Sequence, residues 1–123
     1  MLYLLVFIGA GLGGIMRYFC STAMLRALGP SFPFGTFTVN MIGCLLIGLI
    51  AHLAETRSYL SQEMRTFLVV GILGGYTTFS SFGYETVTLL RDGHLTLALL
   101  NAGGQLVLGL VCVWLGMQVA KVL

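Results

Sequence analysis

The chain has 123 residues, of which 58% are hydrophobic and 8% charged, and its formal net charge is +2. Water-soluble domains carry about 25% charged residues, so this composition, with a mean hydropathy of +1.00, reads as an integral membrane protein. The same figures exclude a basic field for nucleic acid and leave no separate catalytic domain outside the bilayer.

Hydropathy divides residues 1–123 into one domain of four membrane-length stretches: Leu2–Leu28, Gly35–Ala54, Met64–Leu90 and Leu95–Val122. A helix crosses a ~30 Å hydrocarbon core with about 20 residues, so each stretch is long enough. The predicted fold class is therefore an all-α membrane protein with four spans and both termini on one side. The first span lacks a basic leader, contains Arg17 and is followed by three more spans, which reads against a cleaved signal peptide. Its Gly9 and Gly13 form a small-xxx-small pair suited to close helix packing. Arg17 has two readings, a side chain snorkelling to the interface or a charge that draws anions into a vestibule.

A turn marked by Pro30 and Pro33 leads into the second span, which opens FGTFTVNMIGC and places Asn40 about one and a half turns into apolar helix. An amide at that depth needs a partner. It either joins helices through hydrogen bonds, worth about 0.6 to 2 kcal/mol each, or offers its N–H to a permeating anion. A polar connector from Glu55 to Glu63 follows.

The third span contains GILGGYTTFSSF from Gly71 to Phe82, with three glycines, two threonines, two serines and two phenylalanines. This run predicts a helix broken mid-membrane, because glycine and hydroxyl residues are concentrated where plain apolar helix would suffice. Lipid tolerates opened backbone only where protein buries it or water reaches it, and broken spans mark ion and substrate sites. Gly71 and Gly75 repeat the small-xxx-small pattern. Phe79 and Phe82, three apart, share one side of a resumed helix, and the positive edges of their rings can face an anion. Ser80 and Ser81 follow Phe79, and Glu85 comes one turn after Ser81.

Arg91-Asp92-Gly93-His94 is a tight reversal into the fourth span, where Asn101, Gln105 and Gly109 share one face at spacings of four. His52 and His94 lie near span ends as solvated interface residues. Cys20, Cys44 and Cys112 stand isolated, without zinc or dithiol spacing, as packing residues. No His, Ser and Asp set and no metal-ligand cluster argues for an enzyme.

Cytoplasmic loops normally carry the excess of Lys and Arg. Here Arg26 and Arg91 face Arg57, Arg65 and Lys121 across the membrane, a near balance. Either the count is too small to orient the chain or both orientations insert, and in the second case an antiparallel dual-topology homodimer becomes possible.

In order along the chain, GLGGIMRY (Gly11 to Tyr18), FGTFTVNMIGC (Phe34 to Cys44), GGYTTFSSF (Gly74 to Phe82) and WLG (Trp114 to Gly116) resemble the Fluc/CrcB family of small bacterial fluoride channels. The likeness covers essentially the whole chain. It implies a passive fluoride-selective channel in the bacterial inner membrane, built as an antiparallel homodimer with two pores at the subunit interface. By resemblance, Phe79 and Phe82 line the fluoride path and Glu85 belongs to its polar lining; Asn40, Ser80, Ser81, Asn101 and Gln105 are the further candidate donors along it, and Arg17 is the candidate for its vestibule. The resemblance also implies a central structural sodium ion held by the backbone carbonyls of Gly74 and Thr77. Gly109 stands where a hydroxyl would have continued the lining of the fourth helix.

Two rival readings compete with this one. A small dual-topology proton-coupled multidrug exporter needs an acid in the first span, which has Arg17 and no acid. A non-transporting membrane assembly protein would use the glycines as contact faces, and leaves the clustered donors and the paired phenylalanines unexplained.

Overall fold

The computed structural model describes residues 1–58 and 60–123, and among the described residues every regular element is helical. Helix α1 spans Leu2–Leu28, α2 Phe34–Thr56 and α6 Leu95–Val122. Between α2 and α6 lies the third span, Gln62–Arg91, and all four are long and apolar enough to cross a membrane. It consists of α3 (Gln62–Arg65), a wider-wound π-helical segment (Thr66–Leu73), the single turn α4 (Gly74–Tyr76) and α5 (Phe79–Arg91).

The second and third spans run slightly past the ends that hydropathy marks. Pro33 precedes α2 and its carbonyl accepts from Phe37 N–H at 3.1 Å. Ser61 caps α3, its hydroxyl accepting from Met64 N–H at 3.2 Å. At the other end of the third span, Gly93 takes φ +82°, a left-handed conformation that glycine adopts without steric cost. The N–H groups of Gly93 and His94 thereby close onto the Leu90 and Leu89 carbonyls at 3.1 and 2.8 Å.

Helix α2 lies along α6, while α1 packs on the π segment, on α4 and on α2, and α5 leans on α6. Lipid tails are as apolar as leucine, so helices associate there through close packing and polar contacts. Glycines provide that closeness. A Cβ at Gly9 would stand 2.8 Å from Gly71 Cα, one at Gly13 would strike the Ile72 carbonyl, and one at Gly75 the Ala10 carbonyl. The α2–α6 seam is built alike, with Gly48 against the Val113 carbonyl and Gly116 against the Leu45 carbonyl. Large apolar side chains such as Phe7, Phe19, Leu106 and Trp114 point outward, while Thr36, Thr78, Asn101 and Gln105 are buried. Polar groups held inside an apolar surface reverse the pattern of a soluble fold.

The break in the third span falls inside the glycine and hydroxyl run, at its threonines. Gly74 keeps helical angles (φ −62°, ψ −38°), and Gly71 and Gly75 serve the α1 seam. The chain extends at Thr77 (φ −83°, ψ 159°) and Thr78 (φ −152°, ψ 116°). Both are β-branched, which disfavours helix and suits extended backbone. The helix before the break ends at Tyr76, its last turn closed by the Leu73 carbonyl, which accepts from Thr77 N–H at 3.0 Å and from the Thr77 hydroxyl at 2.9 Å.

Candidate functional site

The extended pair at the break would leave main-chain groups without helical partners inside an apolar environment, where each orphan costs several kcal/mol. Asn40 on α2 answers this for Thr78. Its Oδ1 accepts from Thr78 N–H at 2.9 Å and its Nδ2 donates to the Thr78 carbonyl at 3.0 Å. One side-chain amide thus bonds both polar groups of one residue, as a neighbouring strand would. Because Thr78 presents one donor and one acceptor, the orientation of the Asn40 amide is fixed.

That orientation propagates across the bundle. The other hydrogen of Asn40 Nδ2 goes to Gln105 Oε1 on α6 at 2.8 Å, and Gln105 Nε2 donates to Asn101 Oδ1 at 2.9 Å. Asn101 Nδ2 donates to the Thr86 hydroxyl at 2.9 Å, which donates in turn to the Phe82 carbonyl at 2.7 Å. A directed chain of hydrogen bonds therefore ties α2, the break, α6 and α5 together. Within it Asn40 has both amide hydrogens engaged, whereas Gln105 and Asn101 each keep one.

Thr78 also caps α5. Its hydroxyl accepts from Ser81 N–H at 3.2 Å, donates to Ser81 Oγ at 3.1 Å and lies 3.3 Å from Ser80 Oγ. This places the Ser80 and Ser81 hydroxyls in one cluster with the break. The first turn of α5 carries Phe79 and Phe82, whose ring centroids are 5.4 Å apart at a 47° tilt. Phe79 is 82% exposed, projecting from the single chain.

Asn40, Gly74, Thr77, Thr78, Phe79, Phe82 and Gln105 line one groove of about 710 Å³, whose remaining walls are mostly apolar. Asn101 sits behind it, fully buried. Glu85 belongs to a separate cavity of about 340 Å³ under the α1–α2 connector, shared with Thr36 and Tyr84. There Glu85 Oε1 accepts from the Thr36 hydroxyl at 2.8 Å, while the buried Oε2 has no partner among the described residues. Arg17 reaches the break from α1, its Nη1 donating to the Thr77 carbonyl at 3.3 Å.

The residues singled out in the sequence thus fall into a groove group, a capping group and a distal acid. Reasoning from sequence passed over Thr78, Thr36 and Thr86. The signal for Thr78 was present, since a threonine at the start of an amphipathic stretch is an N-cap pattern. Thr36 and Thr86 carry no local signal, because their partners lie 49 and 15 residues away.

Comparison with known proteins decides what kind of chain carries this arrangement. A family profile described as "CrcB-like protein, Camphor Resistance (CrcB)" matches residues 4–117. The chain belongs to the CrcB family. Among similar CrcB proteins, one from Methylobacillus flagellatus is 44% identical over 119 residues, covering 96% of this chain and 93% of the relative. Another, from Solibacter usitatus, is 44% identical over 121 residues, covering 98% and 99%. A third, from Chlorobium phaeobacteroides, is 44% identical over 118 residues, covering 95% and 92%. All three are named "Fluoride-specific ion channel FluC", the name of a channel and not of an enzyme. Four apolar helices and this kinship make the chain a multi-pass membrane protein.

Proposed function

We propose that this chain is a passive, fluoride-selective channel that exports cytoplasmic fluoride across the bacterial inner membrane. It acts as an antiparallel, dual-topology homodimer with two pores at the subunit interface, surrounded by membrane lipid. The observation that carries the reading is the ring of neutral donors around the break at Thr77–Thr78, in a chain whose relatives are named as fluoride channels. Fluoride is small and strongly hydrated, so a pore that strips its water must supply donors in exchange. Amides and hydroxyls do so without the full charge that would trap the ion, since conduction needs stations the ion can leave.

The path runs along the groove. Phe79 and Phe82 turn ring edges toward the ion, Ser80 and Ser81 offer hydroxyls, and Gln105 offers its remaining amide hydrogen, oriented by Asn101 from behind the groove. Asn40 serves an ion by exchanging its Gln105 bond for it. Glu85, held by the Thr36 hydroxyl, stands at the far cavity as part of the polar lining. Arg17 raises the potential for anions near the break. No energy coupling is involved, because a membrane potential of 100 mV, negative inside, drives each charge out with about 2.3 kcal/mol.

A structural sodium ion fits the same region. Among the described residues no main-chain N–H reaches the Gly74 carbonyl, and the Thr77 carbonyl receives only the long Arg17 contact. Carbonyl oxygens freed in this way suit a hard cation, and Arg17 uses one of the two lone pairs on Thr77. Gly74 and Thr77 from each of two copies would hold the ion, which when bound supplies a fixed positive charge between the subunits.

Fluoride efflux from liposomes, followed with a fluoride electrode, tests the lining. Phe79→Ile and Phe82→Ile each replace ring edges by aliphatic surface, and each should slow efflux about fivefold, on a ring contribution of about 1 kcal/mol. Rates equal to wild type in both variants would remove these rings from the path. Arg17→Gln should slow efflux a few-fold at low salt, with the difference shrinking toward 1 M salt as screening erases the field. A deficit independent of salt would show that Arg17 acts through packing instead.

A further inference from the structure

We infer that Asn40 and Thr78 make the cation site, by taking away from two carbonyls the donors that an unbroken helix would give them. The inference rests on the sodium reading above. In continuous α-helix each carbonyl accepts from the N–H four residues on, so Gly74 would be served by Thr78 and Thr77 by Ser81. Both donors are diverted by side chains. Thr78 N–H goes to Asn40 Oδ1 at 2.9 Å, and Ser81 N–H goes to Thr78 Oγ1 at 3.2 Å. Gly74 and Thr77 are thus among the carbonyls that the break releases, and they are the two whose donors these side chains hold.

The diversion is locked from a second direction. Asn40 Nδ2 holds the Thr78 carbonyl at 3.0 Å, and Gln105 Oε1 on the other hydrogen of that nitrogen prevents the amide from turning over. Among the described residues no donor takes its place at the Gly74 carbonyl. Asn40 and Thr78 are therefore positioning residues for the cation, acting through backbone that they unpair. The same two side chains complete the break that exposes Phe79 and Phe82. Cation site and anion path thus share one pair of supports.

Thermal unfolding of the purified full-length protein in lipid nanodiscs, titrated with sodium chloride against N-methylglucamine chloride at constant ionic strength, tests this apart from transport. Wild type should gain stability with sodium, giving a half-maximal concentration. Thr78→Val keeps the side-chain shape but removes the acceptor for Ser81 N–H, and should raise that concentration about tenfold. Thr78→Ser restores the acceptor and should return it to the wild-type value. Asn40→Leu should raise it at least as far as Thr78→Val, and if Asn40→Leu does not fold, the valine and serine pair decides alone. Sodium midpoints in Thr78→Val and Asn40→Leu equal to wild type would overturn the assignment while leaving the sodium reading intact. A wild-type protein indifferent to sodium would overturn the sodium reading and this assignment with it.

Discussion

Asn40→Ala should abolish fluoride conduction, lowering the initial efflux rate from liposomes at least a hundredfold. Truncation removes three hydrogen bonds: those to Thr78 N–H, the Thr78 carbonyl and Gln105 Oε1. Each is worth about 1 kcal/mol, and more where its partner is left buried and unpaired, so the break loses about 3 kcal/mol or more of support. The segment then has an alternative. Thr78 N–H can return to the Gly74 carbonyl and reseal the helix, which turns the Phe79–Phe82 turn away from its present direction. Asn40→Asp separates the two halves of the effect, since a carboxylate still accepts from Thr78 N–H but donates to neither carbonyl. It should conduct poorly as well, because the donor half is lost and a negative charge is added beside the path. Wild-type conduction in Asn40→Ala would mean that the break holds itself open and that the amide is ornamental.

Gly48→Val should prevent the protein from folding. A Cβ at Gly48 would strike the Val113 carbonyl and stand 2.9 Å from its carbon, and on the same seam one at Gly116 would stand 2.8 Å from Leu49 N. The obstacles are backbone atoms on straight helices, which cannot swing aside as a side-chain tip can. Overpacking of this kind costs about 3 kcal/mol or more, and here the α2–α6 seam also carries the Asn40–Gln105 bond across it. The variant should elute as aggregate in size-exclusion chromatography, where Gly11→Ala, whose added Cβ meets nothing within 4 Å, should elute as wild type does. A well-folded Gly48→Val protein would show that the two helices can move apart without penalty.

The four helices were legible in the sequence because their apolar length leaves few alternatives in lipid. The glycine seam was legible too, since spacing four places Gly9 with Gly13, and Gly71 with Gly75, on one helix face. The break itself was half legible. Glycines and threonines stand together in GGYTT, and composition marks the region without saying which residue opens; tertiary contacts decide, since the glycines fill the α1 seam and leave Thr77 and Thr78 to extend. Asn40 was visible as an amide needing a partner, but its hold on both main-chain groups of Thr78, 38 residues away, follows from how α2 meets the third span. The pairing of Glu85 with Thr36 was hidden for the same reason. Short-range pattern gives candidates, and long-range packing assigns their partners.

The central claim is that neutral donors around a broken helix select fluoride. Initial efflux of fluoride and of chloride from liposomes holding the purified wild-type protein, with valinomycin present to carry the compensating potassium, measures this directly. The account predicts rapid fluoride release with chloride release near that of protein-free vesicles. Equal protein-dependent rates for the two ions would contradict it.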